Sequence, residues 1–259
     1  MNKLYFCYSV FALMLIHSTN ILAQDSSIKK TPFPEGITVE YGMGSLAVTD
    51  EYISKEKYSG SIPYYSIGWS KQHSDYVYHL KLDFRNSNEI KNYNVSADIY
   101  QFTLNQGFNY AFPEFTILDK EACVFLGPTT ELFFYYNHQN IAVSGFDYSQ
   151  SFALLISGGI SSELFYKFGD NFNLEASLNF SVLSLGFRMI DEEETDESPA
   201  KILTIFSATN MIFKFGPRYY LFDNLSVKAS YLFHLTRISS WEPLLSASDN
   251  VILTLTYGF

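Results

Sequence analysis

One segment of the chain carries four titratable side chains at alternate positions, namely His79, Lys81, Asp83 and Arg85. A histidine beside a carboxylate can activate water or a serine hydroxyl, so hydrolysis is the first chemistry to consider. At about 3.3 Å per residue of extended chain, however, His79 and Asp83 stand roughly 13 Å apart and cannot touch. Hydrolysis would therefore need a serine or a carboxylate from a neighbouring segment, for which Glu40 is a candidate.

Other kinds of chemistry lack a motif in this chain. It contains no metal-ligand spacing, no phosphate-binding glycine loop and no nucleophile elbow, so we assign no catalytic residue, metal ligand or cofactor. The formal net charge is -10, from 27 acidic and 17 basic residues, without a cluster of Lys and Arg. Nucleic acid is therefore an unfavourable partner, because phosphate binding requires such clusters.

The elements that must position these residues follow an apolar period of two. Tyr76, Tyr78, Leu80, Leu82 and Phe84 alternate with the titratable side chains, and the same alternation recurs over 173–182, 225–234 and 251–259. Such strands suit either a soluble sandwich or a membrane barrel. Soluble strands average about 5 or 6 residues, whereas a strand that crosses a bilayer needs about 9 to 11. Length favours the barrel, and in lipid the sheet must close so that no edge stays unpaired.

We predict an all-β fold, a closed antiparallel transmembrane β-barrel of about ten strands, with eight or twelve as the alternatives. The strands are predicted at 37–48, 61–72, 76–86, 94–112, 121–137, 150–167, 172–189, 202–221, 225–237 and 249–259. Short connections near 73–75, 168–171 and 222–224 should face the periplasm, and the connection at 113–120 is long for that side. Gly127-Pro128 and Gly216-Pro217 should mark bulges or bends, because proline cannot donate to a central ladder.

With the apolar faces turned to lipid, a set of charged and titratable side chains points into the lumen. The set is Glu40, His79, Lys81, Asp83, Arg85, Glu131, Glu163, Glu175, Lys214, Lys228 and His234. These groups could pair across a narrow barrel and fill it, or they could line a small-solute path whose selectivity comes from the ring of charges. Both interpretations stay open from the sequence alone.

The N-terminal segment has the layout of a secretory signal peptide. A positive start is followed by the apolar run 4–16, which is too short to span a bilayer as a helix. We predict a signal peptide at 1–23, a periplasmic segment at 24–35 and the barrel at 36–259. After cleavage Cys123 is the remaining cysteine, and we expect it to be a small buried strand residue.

One connection is strongly acidic. Its acids are Asp191, Glu192, Glu193, Glu194, Asp196 and Glu197. A solvated surface loop is the simplest interpretation. Carboxylates also bind divalent cations, which could couple this loop to lipopolysaccharide. A third interpretation is a partner-binding loop here or at 238–248, where we expect Trp241 to be exposed.

The final strand carries apolar or aromatic residues at alternate positions, namely Val251, Leu253, Leu255, Tyr257 and Phe259. This pattern resembles the C-terminal signal of Gram-negative outer-membrane β-barrel proteins. The segments 166–180 and 218–231 resemble the strand, turn, strand units of small porin-like barrels, including those of the Bacteroidota. The resemblance implies export to the outer membrane, recognition by the barrel-assembly machinery, and outer-membrane lipid and lipopolysaccharide as surroundings.

The resemblance is weak for activity, because one fold hosts many functions. No segment resembles the motifs of the omptin proteases or of the enzymes that acylate or deacylate lipid A. We therefore expect a structural barrel or a porin-like passage for small solutes. The alternatives are a surface-loop binding module and a lipid- or peptide-modifying hydrolase.

Overall fold

A computed structural model of the chain describes residues 35–73, 76–92, 95–140, 150–188 and 198–259. The predicted signal peptide, most of the predicted periplasmic segment and the acidic residues of 191–197 lie outside these ranges. Within the described residues there is no helix of the length and apolarity that a membrane span requires.

The described chain is built of antiparallel strands. Their bounds are β1 (Gly36–Asp50), β2 (Ser54–Gln72), β3 (Tyr76–Lys91), β4 (Ser96–Ala111), β5 (Phe115–Ile117), β6 (Lys120–Asn140), β7 (Gln150–Gly169), β8 (Phe172–Arg188), β9 (Ala200–Thr204), β10 (Ala208–Phe222), β11 (Leu225–Ile238) and β12 (Leu244–Tyr257). Each wall strand pairs with its neighbours in the chain, and β1 also pairs with β12 from Ile37 opposite Tyr257 to Asp50 opposite Leu244. The sheet therefore closes on itself.

Two of the twelve strands do not add to the circumference. Strand β5 forms a hairpin with the start of β6, while β9 and β10 follow one another along the same neighbour, β8. The wall thus consists of ten strands, which confirms the predicted closed antiparallel barrel. The β5 hairpin also explains the long connection at 113–120, because its two turn residues, Leu118 and Asp119, adopt the positive φ of a tight hairpin turn.

The two ends of the barrel differ in their connections. The turn end carries the connections β2 to β3, β4 to β6, β7 to β8 and β10 to β11, of which the last two consist of Asp170-Asn171 and Asp223-Asn224. The loop end carries the other connections. Short turns on one side and longer loops on the other are typical of outer-membrane barrels, in which the short turns face the periplasm.

The two Gly-Pro pairs do not form the bulges that the sequence suggested. At Gly127-Pro128 the ladder to β7 is continuous and only the ladder to β4 is interrupted, without a change of register. Gly216-Pro217 likewise stays in register with β8 while the ladder to β11 is interrupted. A Cβ at Gly127 would lie 1.8 Å from the carbonyl oxygen of Phe108. Glycine therefore permits a close approach of backbones beside a proline that cannot donate.

The outer wall carries an apolar band that ends well before the loop end. On β1, Ile37, Val39, Tyr41 and Met43 face outward and are each about half exposed. Beyond them the outward residues become small or polar, as at Ser45, Ala47 and Thr49. The band is therefore shorter than the strands, which project past it at the loop end.

The interior changes polarity where the outer wall does. On β1 the inward residues pass from Thr38 and Glu40 to Leu46 and Val48 as the strand leaves the band. Neighbouring strands repeat the change, and their buried residues form one packed cluster near the loop end, which we call the apolar plug. It comprises Leu46, Val48, Tyr58, Ile62, Ile90, Ala97, Ile99, Phe133, Tyr135, Ala153, Leu155, Leu203, Ala208, Ile238, Trp241 and Leu244. The barrel is thus apolar outside within the band and apolar inside beyond it.

This change of polarity predicts that the outward face of β1 tolerates a charge beyond the apolar band but not within it. Tyr41→Lys places an ammonium between Tyr65 and Leu253 in the band and should lower the free energy of unfolding by about 2 to 4 kcal/mol, as for lysine near a bilayer midplane. Ala47→Lys lies six residues further along the same face, between Ser59 and Ala247, and should change it by less than about 0.5 kcal/mol. Denaturant unfolding in lipid vesicles measures both. Equal losses of unfolding free energy in the two variants would show that the apolar band extends to Ala47.

Candidate functional site

The centre of the lumen holds a charge cluster organised around Glu40. Its carboxylate accepts from the ammonium of Lys214 and lies 3.1 Å from that of Lys81. Lys81 also lies 3.3 Å from Asp83 and donates to the Tyr64 hydroxyl at 2.8 Å. That hydroxyl is 3.0 Å from Glu40 and 2.8 Å from Asp83. Strands from opposite parts of the chain, β1, β2, β3 and β10, are therefore joined through one network.

A second network continues from Arg85 toward the loop end. Arg85 is 1 % exposed, contacts Nδ1 of His234 and lies with its guanidinium 5.1 Å from the centre of the Tyr64 ring. Because arginine can only donate, His234 accepts at Nδ1 and carries its proton on Nε2, which is 2.7 Å from Oδ1 of Asn210. The Asn210 amide in turn donates to Glu131. This arrangement holds His234 as a neutral donor and acceptor between three strands.

Closer to the turn end, Glu175 is the centre of a third group. Arg218 donates to it through Nε at 2.5 Å and Nη2 at 3.2 Å, and Lys228 donates to it at 2.9 Å. The remaining donor of Arg218, Nη1, reaches the hydroxyls of Ser226 and Thr256 at 2.8 and 2.9 Å. All three charged side chains are buried, so the bonds replace the hydration that burial removes.

The histidine that suggested hydrolysis belongs to a different group from its sequence neighbour. His79 lies 3.1 Å from Asn105 through Nε2 and 3.7 Å from Glu163 through Nδ1. Asp83 instead contacts Lys81 and Tyr64. Asn105 occupies the position beside Nε2, and Glu40 contributes to the central cluster rather than to His79.

A cavity of about 150 Å³ lies between the central cluster and the turn end. Thr38, His79, Lys81, Glu163 and Lys228 are among the residues that line it. Within the part of the chain that the structure describes, no group of three or more His, Cys, Asp and Glu side chains is placed to hold a metal ion.

The loop end of the lumen is closed by the apolar plug and by a buried ion pair. Arg188 donates to Asp50 at 2.5 Å, and both side chains have no exposed surface. Ser151 also donates to Asp50, and Asn137 does so at 3.4 Å. The pair therefore links the ends of β1 and β8 across strands that surround the plug.

All the side chains that the sequence assigned to the lumen face the interior of the barrel. The structure brings Glu40, Lys81, Asp83 and Lys214 together, and separately Arg85 with His234. Glu131, Glu175 with Lys228, and His79 with Glu163 occupy the positions described above. Sequence reasoning missed Arg218, Asp50 and Arg188. Arg218 follows the same alternation as Lys214, so continuing that pattern by four residues would have found it.

The expectation for Trp241 is wrong. This side chain is 6 % exposed, its indole Nε1 donates to the Ser198 carbonyl at 3.0 Å, and the Lys201 ammonium lies 5.1 Å from its ring centre. Trp241 packs in the apolar plug because β9 and β12 bring apolar residues around it. The connection 239–243 therefore closes the loop end instead of presenting an exposed aromatic side chain.

The residues of the proposed assembly signal lie on the outer wall. Leu255 is 47 % exposed and Phe259 is 77 % exposed, with Val251, Leu253 and Tyr257 between these values. Strand β12 pairs with both β1 and β11. Cys123 is 2 % exposed and packs with Val77, Phe125 and Phe165 at the turn end.

Comparisons with known proteins agree with the barrel. No protein-family model and no curated protein sequence matches the chain. Among solved structures, the outer membrane protease OmpT from Escherichia coli aligns over 90% of this chain and 100% of that chain, with 10% identity and a TM-score of 0.50. The translocator domain of autotransporter NalP from Neisseria meningitidis aligns over 97% and 96%, with 13% identity and a TM-score of 0.41. Neisserial surface protein A aligns over 87% and 99%, with 12% identity and a TM-score of 0.37.

The TM-scores for the NalP translocator domain and for Neisserial surface protein A are below 0.5, so these two structures do not support the fold assignment. The likeness to OmpT shows the fold alone, at an identity that carries no information on activity. The chain has the fold of an outer-membrane β-barrel.

Removing one partner of the buried Asp50–Arg188 ion pair should destabilise the barrel. Asp50→Ala leaves the Arg188 guanidinium uncompensated, so the free energy of unfolding should fall by about 3 to 5 kcal/mol. Glu121→Ala is the matched control, since Glu121 pairs with Lys167 at 3.4 Å with side chains 68% and 44% exposed, and should cost less than about 1 kcal/mol. Denaturant unfolding of both variants gives the comparison. Similar losses of unfolding free energy in both variants would mean that water hydrates the Arg188 guanidinium in the folded barrel.

Proposed function

We propose that this chain is an integral outer-membrane barrel of a Gram-negative bacterium whose lumen is closed, with the lumenal charges forming a structural core. The turn end faces the periplasm and the loop end faces outward. Residues 1–23 act as the signal peptide, and the outward face of β12 serves the barrel-assembly machinery. Outer-membrane lipid and lipopolysaccharide surround the apolar band.

The observation that carries this proposal is the filling of the lumen at two successive levels. At the first level the charges of the central cluster pair with each other across the lumen. At the second level the apolar plug joins residues from most wall strands, among them Leu46, Ile99, Phe133 and Leu155, each with no more than 1 % exposure. An ion would have to leave water and cross this level, at a cost that fixed apolar side chains cannot offset.

The other candidate functions receive less support from the geometry. A porin-like passage requires a continuous wet path, and the plug interrupts the one that the charges would line. A hydrolase requires a nucleophile or water beside His79 Nε2, where Asn105 lies. Binding by the acidic loop concerns residues 191–197 outside the described ranges, so it stays a separate hypothesis.

A closed lumen predicts electrical silence. The refolded mature chain in a planar bilayer should show no single-channel steps, and Lys81→Ala and Arg85→Ala should be equally silent, because the plug lies beyond both residues. Heat-modifiable migration on gels verifies that each variant is folded before the recording. Steady steps whose ion selectivity changes in Lys81→Ala would contradict the proposal and would make the barrel a pore.

A lumen closed at the loop end also predicts that a reagent reaches the cavity only from the turn end. Thr38→Cys lines the cavity and should react with a membrane-impermeant maleimide only after the periplasm is opened. Ser248→Cys is the control on the far side of the central cluster, where the native side chain is 1 % exposed, and should stay unreactive. The native Cys123 is buried and contributes a slow background. Labelling of Thr38→Cys in intact cells would mean that the loop end is open.

A further inference from the structure

The cavity at the turn end has one open side. The side chains of Lys81, Glu163 and His79 keep 25%, 18% and 14% of their surface exposed although they lie inside the barrel. Since the apolar plug fills the loop end, solvent reaches these groups through the turn end. A water needs about 10 to 15 Å³ of such volume, so the cavity of about 150 Å³ has room for a small organic molecule. A molecule that enters must leave by the same side.

One wall of this cavity has an excess of positive charge. Arg218 and Lys228 share the single carboxylate of Glu175, and neither has another carboxylate within 4.0 Å among the described residues. Both cations are about 5 % exposed, and both line the cavity. Two buried cations on one carboxylate leave a unit of positive charge without a partner on strands β10 and β11.

Another wall carries a carboxylate without a lysine or arginine partner in the described part of the chain. Glu163, on β7, has no Lys or Arg within 4.0 Å in the described ranges, and its nearest partners are the Asn109 amide at 2.8 Å and His79 Nδ1 at 3.7 Å. Asn105 uses its amide to donate to Thr129 at 3.1 Å, so its oxygen accepts from His79 Nε2. His79 Nδ1 lies 3.7 Å from Glu163, beyond hydrogen-bond distance. Glu163 is therefore a carboxylate on the cavity wall without a lysine or arginine partner among the described residues.

We propose that the cavity binds a small zwitterion of the amino-acid type, entering from the turn end. Its ammonium group pairs with Glu163 and its carboxylate pairs with Arg218 and Lys228. A ligand with a single charge would satisfy one wall and leave the other without a partner, so the two walls together select for both charges. The lumen network holds both walls in place, and the closed loop end makes the site a receptor pocket and not a step in permeation.

Isothermal titration calorimetry on the folded mature chain in lipid nanodiscs tests this directly. The probes are glycine, β-alanine and 4-aminobutyrate, which differ in the separation of their charges, with propionate and propylamine as analogues of single charge. At least one zwitterion should bind with a Kd of about 1 mM or below, and at least about tenfold more tightly than either analogue. The chain length that binds best reports the distance between the two walls.

Two variants and a control assign the binding to these residues. Glu163→Gln and Lys228→Gln should each weaken zwitterion binding by about tenfold or more. Glu121→Gln, which removes a carboxylate at the surface outside the cavity, should leave it unchanged. Heat-modifiable migration shows that each variant is folded. The proposal is overturned if no zwitterion binds, if propionate binds as tightly as the zwitterions, or if Glu163→Gln binds like the unaltered chain.

Discussion

The strands of this closed sheet pass through lipid and then project into water, and the other features of the barrel follow from that constraint. Within the apolar band the outward side chains meet lipid, so the inward positions must take the polar residues. Beyond the band the same strands project into water, where an ordinary β-barrel needs an apolar interior. Because side chains alternate with a fixed period, the residue pattern on each strand must reverse at the boundary. On β1 the reversal falls between Met43 and Leu46.

The charges inside the band are stabilised by ion pairs and by hydrogen bonds to neutral groups. An isolated carboxylate or ammonium in this environment would cost several kcal/mol, so Glu40 and Glu175 are each held by two cations. Glu40 also accepts from the hydroxyls of Tyr64 and Thr254. The network also joins strands far apart in the chain, as Lys214 of β10 meets Glu40 of β1. The lumen is therefore a core in which charged side chains connect strands on different sides of the barrel. The ion pairing in the lumen is uneven: among the described residues Arg85 contacts His234 and Gln101 instead of a carboxylate, while at the turn end Glu163 lies on one wall and Arg218 and Lys228 lie on another.

The sequence predicted the barrel, its ten wall strands and the inward charges, because an alternation of two is the strongest signal that a chain of this kind carries. It did not predict the plug, although the signal was present: apolar residues move from odd to even positions between Met43 and Leu46. The predicted second strand began at 61, the third ended at 86 and the last began at 249, so the plug residues Tyr58, Ile90 and Leu244 lay outside the predicted strands.

Arg188 could not have been placed by alternation. Strand β8 carries an extra residue near Val182, where Leu183 pairs with Gly158 but Ser181 pairs with Gly159. This bulge moves the inward positions from odd numbers, as at Glu175, to even numbers, as at Arg188. Its position depends on pairing between strands, which a single sequence does not reveal. The grouping of the lumenal charges has the same origin, since partners such as Arg85 and His234 come from strands that are distant in the chain.

The most direct test of a closed lumen is nuclear magnetic resonance of methyl-labelled protein in lipid nanodiscs. Leu46, Ile62, Ile99 and Leu155 belong to one packed cluster although they lie on different strands. A closed lumen predicts nuclear Overhauser effects among their methyl groups and none from these methyls to water. Methyl signals that contact water and lack these cross-strand effects would contradict it, since the loop end of the barrel would then be open.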